Sequence, residues 1–312
     1  MKINPNRAIV FVHKGNQNYF RIVMEQVLHS NPNERIILIG DSSNSGISNI
    51  EHFFTDSLIL DNYKEFESNY VHLSSNPKWF ELVCFERWFL VSKLMDELNL
   101  DEVWVNDSDN MVYASYDYAR PRGKWNVAFG FPEQTDDLPY IALGSTCFFK
   151  RDQLFDFCDF LISLYTNTEK LNSIKSIHSH YQEHKLKGGI SDMTAFYLYS
   201  KQVLYHNLFS IHDGKTFDYV VNRVHNSPGD FYYLNDKGIK NIQLRDVKCF
   251  CRNSVTNNDV EFLTIHFQGK SKFLIHKYYG GNKKLLIRKL VGRFLLHKEK
   301  VRQLLRILLG RV

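Results

Sequence analysis

The stretch Glu102-Val-Trp-Val-Asn-Asp-Ser-Asp109 joins an apolar run directly to a turn with two carboxylates. The β-branched and aromatic residues Val103-Trp-Val105 are typical of a buried strand. Because the polar residues follow without a break, the strand is expected to end where the acidic side chains begin. The stretch therefore predicts a buried strand that delivers two carboxylates to one edge of a sheet.

Two earlier stretches are likewise apolar runs followed by polar residues, and segments with a helical pattern separate the three predicted strands. Residues 8–12 and 35–41 are short apolar runs that end in polar residues, as expected of buried strands. Residues 18–29 and 78–98 carry apolar side chains at helical spacing. Alternating strands and helices predict an α/β fold, Rossmann-like, with a mostly parallel central sheet.

The ends of these three strands carry His13, Asp41 and Asp107. Open parallel sheets bind ligands beyond the carboxyl ends of their strands, so these side chains are expected to line one site. Asp107 and Asp109 flank Ser108, and two carboxylates so close repel each other unless a cation lies between them. Mn²⁺ or Mg²⁺ would supply that charge and bind diphosphate oxygens as well. Many surface loops contain such a pair by chance, and the preceding buried strand is what favours a metal site here.

The composition fits a folded α/β protein, with 44% hydrophobic and 23% charged residues. We expect no secretory signal and no membrane-spanning helix, because no run approaches 18 apolar residues. The five cysteines are an odd number without paired spacing, which favours reduced thiols in a cytoplasmic protein. His178, His180 and His184 admit a zinc site, although a solvated helix is the favoured interpretation.

Charge is distributed unevenly along the chain. Residues 270–312 hold 13 Lys and Arg against one acid, which leaves 26 basic and 33 acidic residues for the rest. From Leu285 onward the apolar residues recur at helical spacing, which predicts a basic amphipathic C-terminal helix. Such a helix suits an anionic membrane surface, so we expect a peripherally membrane-associated protein. Alternatively, the apolar stripe packs on the body or on a partner chain. Nucleic acid is not expected, because the tail has few aromatic residues and the body is acidic.

A second motif, Ile265-His-Phe-Gln-Gly-Lys-Ser-Lys272, lies near the end of the predicted body. Paired with Asp-Ser-Asp, it resembles the GT-A glycosyltransferases, in particular the group that contains glycogenin and bacterial lipooligosaccharide galactosyltransferases. These enzymes combine a DxD motif with a C-terminal HxxGxxK motif. The resemblance implies that His266 is a third metal ligand beside Asp107 and Asp109. It also implies that Gly269 lets the backbone approach the phosphates and that Lys272 assists at the β-phosphate.

Further positions resemble the same family less closely. Asn18-Tyr19, after His13, resembles its nucleotide-binding loop, and Arg87 resembles an arginine that contacts the donor, with an ordinary salt bridge as the alternative. Gly144-Ser145 stands where the family has a small-residue strand along the donor sugar. Asp192 is the candidate for orienting sugar hydroxyls, and a helix N-cap at Ser191 or Asp192 is the alternative.

The resemblance implies a GT-A domain over residues 1–280 and a basic helical tail over residues 281–312. The expected reaction transfers a hexosyl group from a nucleotide sugar, with UDP as the expected nucleotide, to a hydroxyl of a cell-surface glycan or a lipid-linked acceptor. Only Glu133 and Asp192 are candidates for a base, and retention of configuration is favoured. Two other functions remain open: a nucleotide-sugar pyrophosphorylase, and a non-catalytic membrane-binding scaffold.

Overall fold

A computed structural model describes residues 4–284 of the chain. The predicted tail helix from Leu285 onward lies outside the described residues. Among the described helices, none is both long and apolar enough to cross a membrane.

Within residues 4–284 the chain forms 13 strands and seven α-helices. The strands are β1 (Arg7–Val12), β2 (Ile36–Gly40), β3 (Glu51–Phe54), β4 (Glu102–Asn106), β5 (Asn110–Val112), β6 (Val127–Gly130), β7 (Leu143–Lys150), β8 (Tyr205–Asn207), β9 (Lys215–Thr216), β10 (Gln243–Arg245), β11 (Lys248–Arg252), β12 (Asp259–Phe262) and β13 (Thr264–His266). The helices are α1 (Asn18–Ser30), α2 (Asp61–Asn69), α3 (Lys78–Glu97), α4 (Tyr116–Ala119), α5 (Arg151–Thr166), α6 (Thr168–Glu183) and α7 (Asp192–Tyr199). Short 3-10 helices cover Thr55–Ser57 and Gly269–Tyr278.

The central sheet has seven strands in the order β3-β2-β1-β4-β7-β6-β8. The strands β3, β2, β1 and β4 are parallel to one another, whereas β7 runs antiparallel between β4 and β6. The prediction of an α/β fold with a mostly parallel central sheet is therefore confirmed. Since β7 reverses direction between them, β4 and β6 end at the same edge of the sheet.

Both faces of the sheet are buried, which explains the nearly continuous apolar runs in the sequence. In β1, Ile9 and Phe11 join one hydrophobic cluster, whereas Ala8 and Val10 join the other. Alternate side chains of a strand point to opposite faces, so one run supplies both cores.

The second half of the chain departs from its predicted pattern at one strand. The sequence pattern of the second half favours one short strand at about residues 261–266, but the structure has two strands there with Leu263 between them. The two parts pair with different partners: β12 joins the small sheet β10-β11-β12-β9, and β13 pairs with β5. The apolar pattern is continuous across both strands, so the pattern alone does not show the change of partner.

Candidate metal and donor site

The site forms where β13 pairs antiparallel with β5. In this ladder His266 lies opposite Asn110, the residue after Asp109. The backbone N–H of Phe267 also donates to the carbonyl of Asp109, at 3.0 Å. Facing residues of an antiparallel pair are close neighbours, so the ladder brings the two distant motifs together.

Asp107, Asp109 and His266 form one cluster of potential metal ligands. One ligand atom from each residue lies within 4.8 Å of the others, and no other such group of His, Cys, Asp or Glu occurs in residues 4–284. The Nε2 atom of His266 is 3.4 Å from Oδ1 of Asp109. Asp109 and His266 are buried, whereas Asp107 is partly exposed. The structure thus brings together the three predicted ligands, on the side of the sheet where β4 ends.

Hydrogen bonds on the side away from Asp109 hold the imidazole of His266 in one orientation. Its Nδ1–H donates to the carbonyl of Tyr219 at 2.8 Å, which leaves Nε2 to face Asp109. Its backbone N–H donates to Oδ2 of Asp218 at 3.1 Å. A histidine ligand commonly donates its second ring N–H to a carbonyl or carboxylate, which fixes both tautomer and direction. The observed arrangement matches that requirement.

Asp218 belongs to a buried ion pair that the sequence analysis missed. Lys240 donates to Oδ1 of Asp218 at 2.6 Å, and neither side chain is exposed. The same ammonium donates to the carbonyl of Val220 at 2.9 Å and to Oδ1 of Asn226 at 3.1 Å. Single charged residues in apolar surroundings, as in Phe217-Asp-Tyr219, are the only sequence signal that marks such a pair. Buried charges need complete hydrogen bonding, and the network supplies it.

Two cationic groups surround Asp109. Lys272 Nζ lies 3.0 Å from Oδ2 of Asp109 and 5.1 Å from the ring centroid of Tyr19. Burial disfavours the charge of Asp109, but His266 and Lys272 outweigh it and hold the pKa of this carboxyl at about 2. Burial likewise opposes the charge of His266, but the attraction of Asp109 prevails and raises the pKa of His266 to about 9. At neutral pH without metal, the imidazole is therefore protonated and paired with Asp109.

Arg87 joins the acidic turn to α7. Its guanidinium donates to Oδ1 of Asp107 and, at 2.6 Å, to Oδ2 of Asp192. The indole N–H of Trp88 donates to the same carboxylate oxygen at 3.2 Å. Burial raises the pKa of Asp107, and the charge of Arg87 opposes that shift. Arg87 thus makes the ion pairs that were the alternative to a donor contact, and it makes them inside the candidate site.

The other proposed role for Asp192 and Ser191 was that of a helix cap. Ser191 is the N-cap residue of α7, but its side chain makes no capping hydrogen bond. The carboxylate of Asp192 is directed to Arg87 and Trp88 instead. Neither side chain therefore serves as a cap, and Asp192 belongs to the site.

The loop after β1 leads into the start of α1, where the Tyr19 ring lies 5.1 Å from Lys272 Nζ. The His13 ring packs against Phe20 at an interplanar angle of 30° with centroids 4.1 Å apart, and burial lowers the pKa of His13. Asn18 is exposed at the start of α1. The backbone N–H of Gly15 donates to Oδ2 of Asp41 at 2.7 Å, which ties the loops after β1 and β2 together.

The glycine and serine residues predicted to contact the donor differ in how closely they are packed. A Cβ at Gly144 would lie 2.5 Å from Trp88 and 2.6 Å from Phe196, so packing alone requires glycine there. The Ser145 carbonyl accepts the backbone N–H of Asp107 at 2.8 Å, which holds the acidic turn in place, while Ser108 is partly exposed. Gly269 has φ +59° and open space beside it, and it begins the 3-10 helix that carries Lys272.

Two further candidates lie outside this cluster. Glu133, one of two possible bases, accepts the backbone N–H of Gly229 at 3.2 Å. His180 and His184 stack at the end of α6 with centroids 4.1 Å apart. Within the described residues the histidine group does not form a metal cluster, so the solvated helix is the better description.

No protein-family model and no curated protein sequence matches the chain. Solved structures similar to it are described as glycosyltransferases. The galactosyltransferase LgtC, in complex with donor and acceptor sugar analogues, is 12% identical over 68% of this chain and 76% of its own, with TM-score 0.36. Mouse xyloside xylosyltransferase 1 is 10% identical over 65% of this chain and 85% of its own, with TM-score 0.40. A glycosyltransferase involved in glycosylation of the major capsid of PBCV-1 is 9% identical over 87% of this chain and 98% of its own, with TM-score 0.38. The identities are low, so the function is inferred below from the residues of the site.

Proposed function

We propose that the chain is a metal-dependent glycosyltransferase that transfers a hexosyl group from a nucleotide sugar to a hydroxyl. The observation that carries the proposal is the meeting of Asp107, Asp109 and His266 within 4.8 Å at the edge of the sheet. Ligand sites of α/β sheets lie at this edge.

The residues present fit a divalent cation. Two carboxylates and one imidazole are a donor set suited to Mn²⁺ or Mg²⁺. In the metal-free state the charge of Asp109 is balanced by protonated His266 and by Lys272. When bound, the cation would neutralise the negative charge of the donor diphosphate.

The protein groups then have separate roles. Lys272 places a positive charge beside the site where the nucleotide diphosphate leaves with the bonding electron pair. Asp192 accepts hydrogen bonds from sugar hydroxyls, and Arg87 holds Asp107 and Asp192 in position. Gly269, together with the loop of His13, Asn18 and Tyr19, forms the nucleotide side, and Ser108 lies between the two metal-binding carboxylates. The family resemblance implies that the strand of Gly144 and Ser145 lies along the donor sugar.

The finer assignments follow from the same residues. A UDP-sugar donor is implied by the family resemblance. Retention is favoured because the retaining members of the family that the chain resembles do not need a strong base, and the pairing of Asp192 with Arg87 makes this carboxylate a weak one. The basic tail favours an acceptor at a membrane, either a lipid-linked sugar or a surface glycan, and a peripheral position on the cytoplasmic side.

The two alternative functions are less well supported. A pyrophosphorylase needs a glycine-rich, basic loop after its first strand, but this loop offers only Lys14-Gly15. Lys14 is also paired with Glu86 at 3.1 Å. A non-catalytic scaffold gives no reason to bury a cluster of acids and an imidazole, whose desolvation costs stability.

A panel of UDP- and GDP-sugars assayed for Mn²⁺-dependent hydrolysis tests the proposal. We expect slow release of free sugar by the wild type and a loss of at least about a hundredfold in Asp109→Asn. The control is Asp236→Asn, because Asp236 is exposed and lies outside the cluster. Full metal-dependent turnover by Asp109→Asn would show that the site assignment is wrong. Formation of a nucleoside triphosphate from a nucleotide sugar and added pyrophosphate would favour the pyrophosphorylase.

A further inference from the structure

The first turns of α3 carry an exposed apolar patch. Trp79 is 68% exposed, and Phe80 and Val83 are each 45% exposed. The rings of Trp79 and Phe80 are nearly perpendicular, with centroids 6.0 Å apart. Exposed large apolar side chains that cluster in one place commonly mark a binding surface. We call these three side chains the α3 platform.

The α3 platform lies on the side of the helix that reaches the candidate site. Glu86 follows Trp79 by seven residues and Arg87 follows Phe80 by seven, which is two helical turns and returns to the same side. Glu86 pairs with Lys14 in the loop after β1, and Arg87 pairs with Asp192. Seven residues advance roughly 10 Å along the axis, about the length of two sugar rings.

Farther along, the same side of α3 enters the core. Leu90 and Leu94 follow Trp79 and Val83 by eleven residues, or about three turns, and both are buried. One side of the helix therefore passes from the core, through the site, to an apolar surface. That surface is exposed in the described structure.

The start of α3 is rigidly attached to the loop that leads to Asp192. Glu81 is buried and accepts hydrogen bonds from Ser74 Oγ at 2.7 Å and from Asn76 Nδ2 at 2.8 Å. Ser74 forms a β-bridge with Gly189, three residues before Asp192. The α3 platform is thus fixed relative to the site, and the loop that leads into α3 contains the polar residues Ser74, Ser75 and Asn76.

We propose that the α3 platform binds the acceptor glycan, with the apolar face of a pyranose ring stacked on Trp79. This inference rests on the proposed transferase function and names its acceptor class. A pyranose ring exposes C–H groups on its faces and hydroxyls at its edge. An exposed indole bordered by polar groups satisfies both requirements. Continuity with Arg87 and Asp192 places the acceptor next to the transferred sugar.

Tryptophan fluorescence gives a direct test because Trp79 is the only exposed one of the four tryptophans. Trp88 and Trp104 are 0% exposed and Trp125 is 2% exposed. Acrylamide quenching therefore reports on Trp79. The probes are lactose, cellobiose and maltose at millimolar concentration, with myo-inositol as the control that lacks a pyranose ring. We expect at least one disaccharide to protect Trp79, and no protection by myo-inositol.

Activity measurements separate this inference from the proposed function. In Trp79→Ser we expect unchanged donor hydrolysis without acceptor and about a tenfold higher KM for the protecting disaccharide. The control Tyr233→Ser removes another exposed aromatic ring, 52% exposed, and should change neither value. Absence of donor hydrolysis in the wild type would refute the transferase, whereas protection of Trp79 is measured independently of turnover.

Three results would overturn the acceptor platform. The first is donor hydrolysis with no protection by any disaccharide, and the second is an unchanged KM in Trp79→Ser. The third is protection of Trp79 by phosphatidylglycerol vesicles or by self-association at high protein concentration, without protection by sugar. That result would assign the patch to a membrane or to a second copy of the chain.

Discussion

His266 links proton binding to metal binding in this site. Its Nε2 faces Asp109, and its Nδ1–H is held by the carbonyl of Tyr219. A metal ligand must be a neutral imidazole, so a bound proton on Nε2 competes with the cation. Without metal, the pair with Asp109 stabilises the fold while His266 is charged. That stability is fully present below the ordinary pKa of 6.5 and is lost as pH rises through about 9.

We predict that Mn²⁺ affinity rises between pH 7 and pH 9. Since the pKa of His266 is about 9, binding at pH 7 must release about one proton, and affinity should rise up to about tenfold per pH unit. Calorimetric titrations in two buffers of different ionisation enthalpy measure the released proton. In His266→Asn the release should disappear. Affinity independent of pH in the wild type would contradict the prediction.

Among the elements, β13 receives support from outside its own ladder. The backbone N–H of His266 donates to Asp218, and Asp218 depends on the ammonium of Lys240. Removing one partner of a buried pair leaves the other charged in an apolar environment, which costs far more than losing an exposed pair.

We therefore predict that Lys240→Met lowers the free energy of unfolding by about 3–5 kcal/mol. Its control is Lys248→Met, because Lys248 is half-exposed and pairs with Glu261 at the surface; this variant should lose at most about 1 kcal/mol. Urea denaturation measures both. Mn²⁺ affinity should fall about tenfold or more in Lys240→Met, since the support of His266 is lost. Equal stability of the two variants would show that the buried pair does not hold the strand.

A second element-scale prediction concerns the segment before α7. Gly189 has φ +140°, and a Cβ there would lie 2.4 Å from the carbonyl of Leu73. Gly214 serves as the control, because it has φ +71° but open space around it. An alanine at Gly214 therefore suffers only the backbone strain of a positive φ, whereas an alanine at Gly189 also overlaps with Leu73. We expect Gly214→Ala to cost about 1–2 kcal/mol and Gly189→Ala about 1–3 kcal/mol more.

Thermal unfolding and donor hydrolysis, measured for both Gly189→Ala and Gly214→Ala, test this prediction. Gly189→Ala should also lower turnover, because the displaced segment carries Asp192. Gly214→Ala should retain turnover. If Gly189→Ala kept both wild-type stability and turnover, the close crossing of these two segments would not position Asp192.

For the whole molecule, the dominant feature is the separation of an acidic body from a basic tail. Residues 270–312, which comprise the last segment of the body and the tail, hold 13 Lys and Arg and one acid. Attraction of such a segment to anionic lipid falls with salt, because exposed charges are screened.

Removal of residues 285–312 should leave donor hydrolysis unchanged and abolish binding to phosphatidylglycerol vesicles. Co-sedimentation at low and high salt measures binding, and phosphatidylcholine vesicles are the control for charge. Loss of hydrolysis in the shortened chain would show that the tail packs on the body, which is the alternative interpretation of its apolar stripe.

Much of the architecture follows from local sequence. Runs such as residues 8–12 and 35–41 are apolar throughout because both faces of their strands are buried, and this property is visible in single segments. The acidic turn after β4 is visible for the same reason, since polar residues begin where the strand ends. Helices α1 and α3 begin at the predicted residues, Asn18 and Lys78.

Tertiary structure alone decided how distant residues meet. The pairing of β13 with β5 sets His266 opposite Asn110, and the spatial meeting of Asp218 with Lys240 and of Arg87 with Asp192 depends on the complete fold. Local periodicity reports which side of an element is buried, but not which partner covers it. For that reason the motif resemblance indicated the three ligands, whereas the support behind His266 and the exposed start of α3 emerged only from the folded chain.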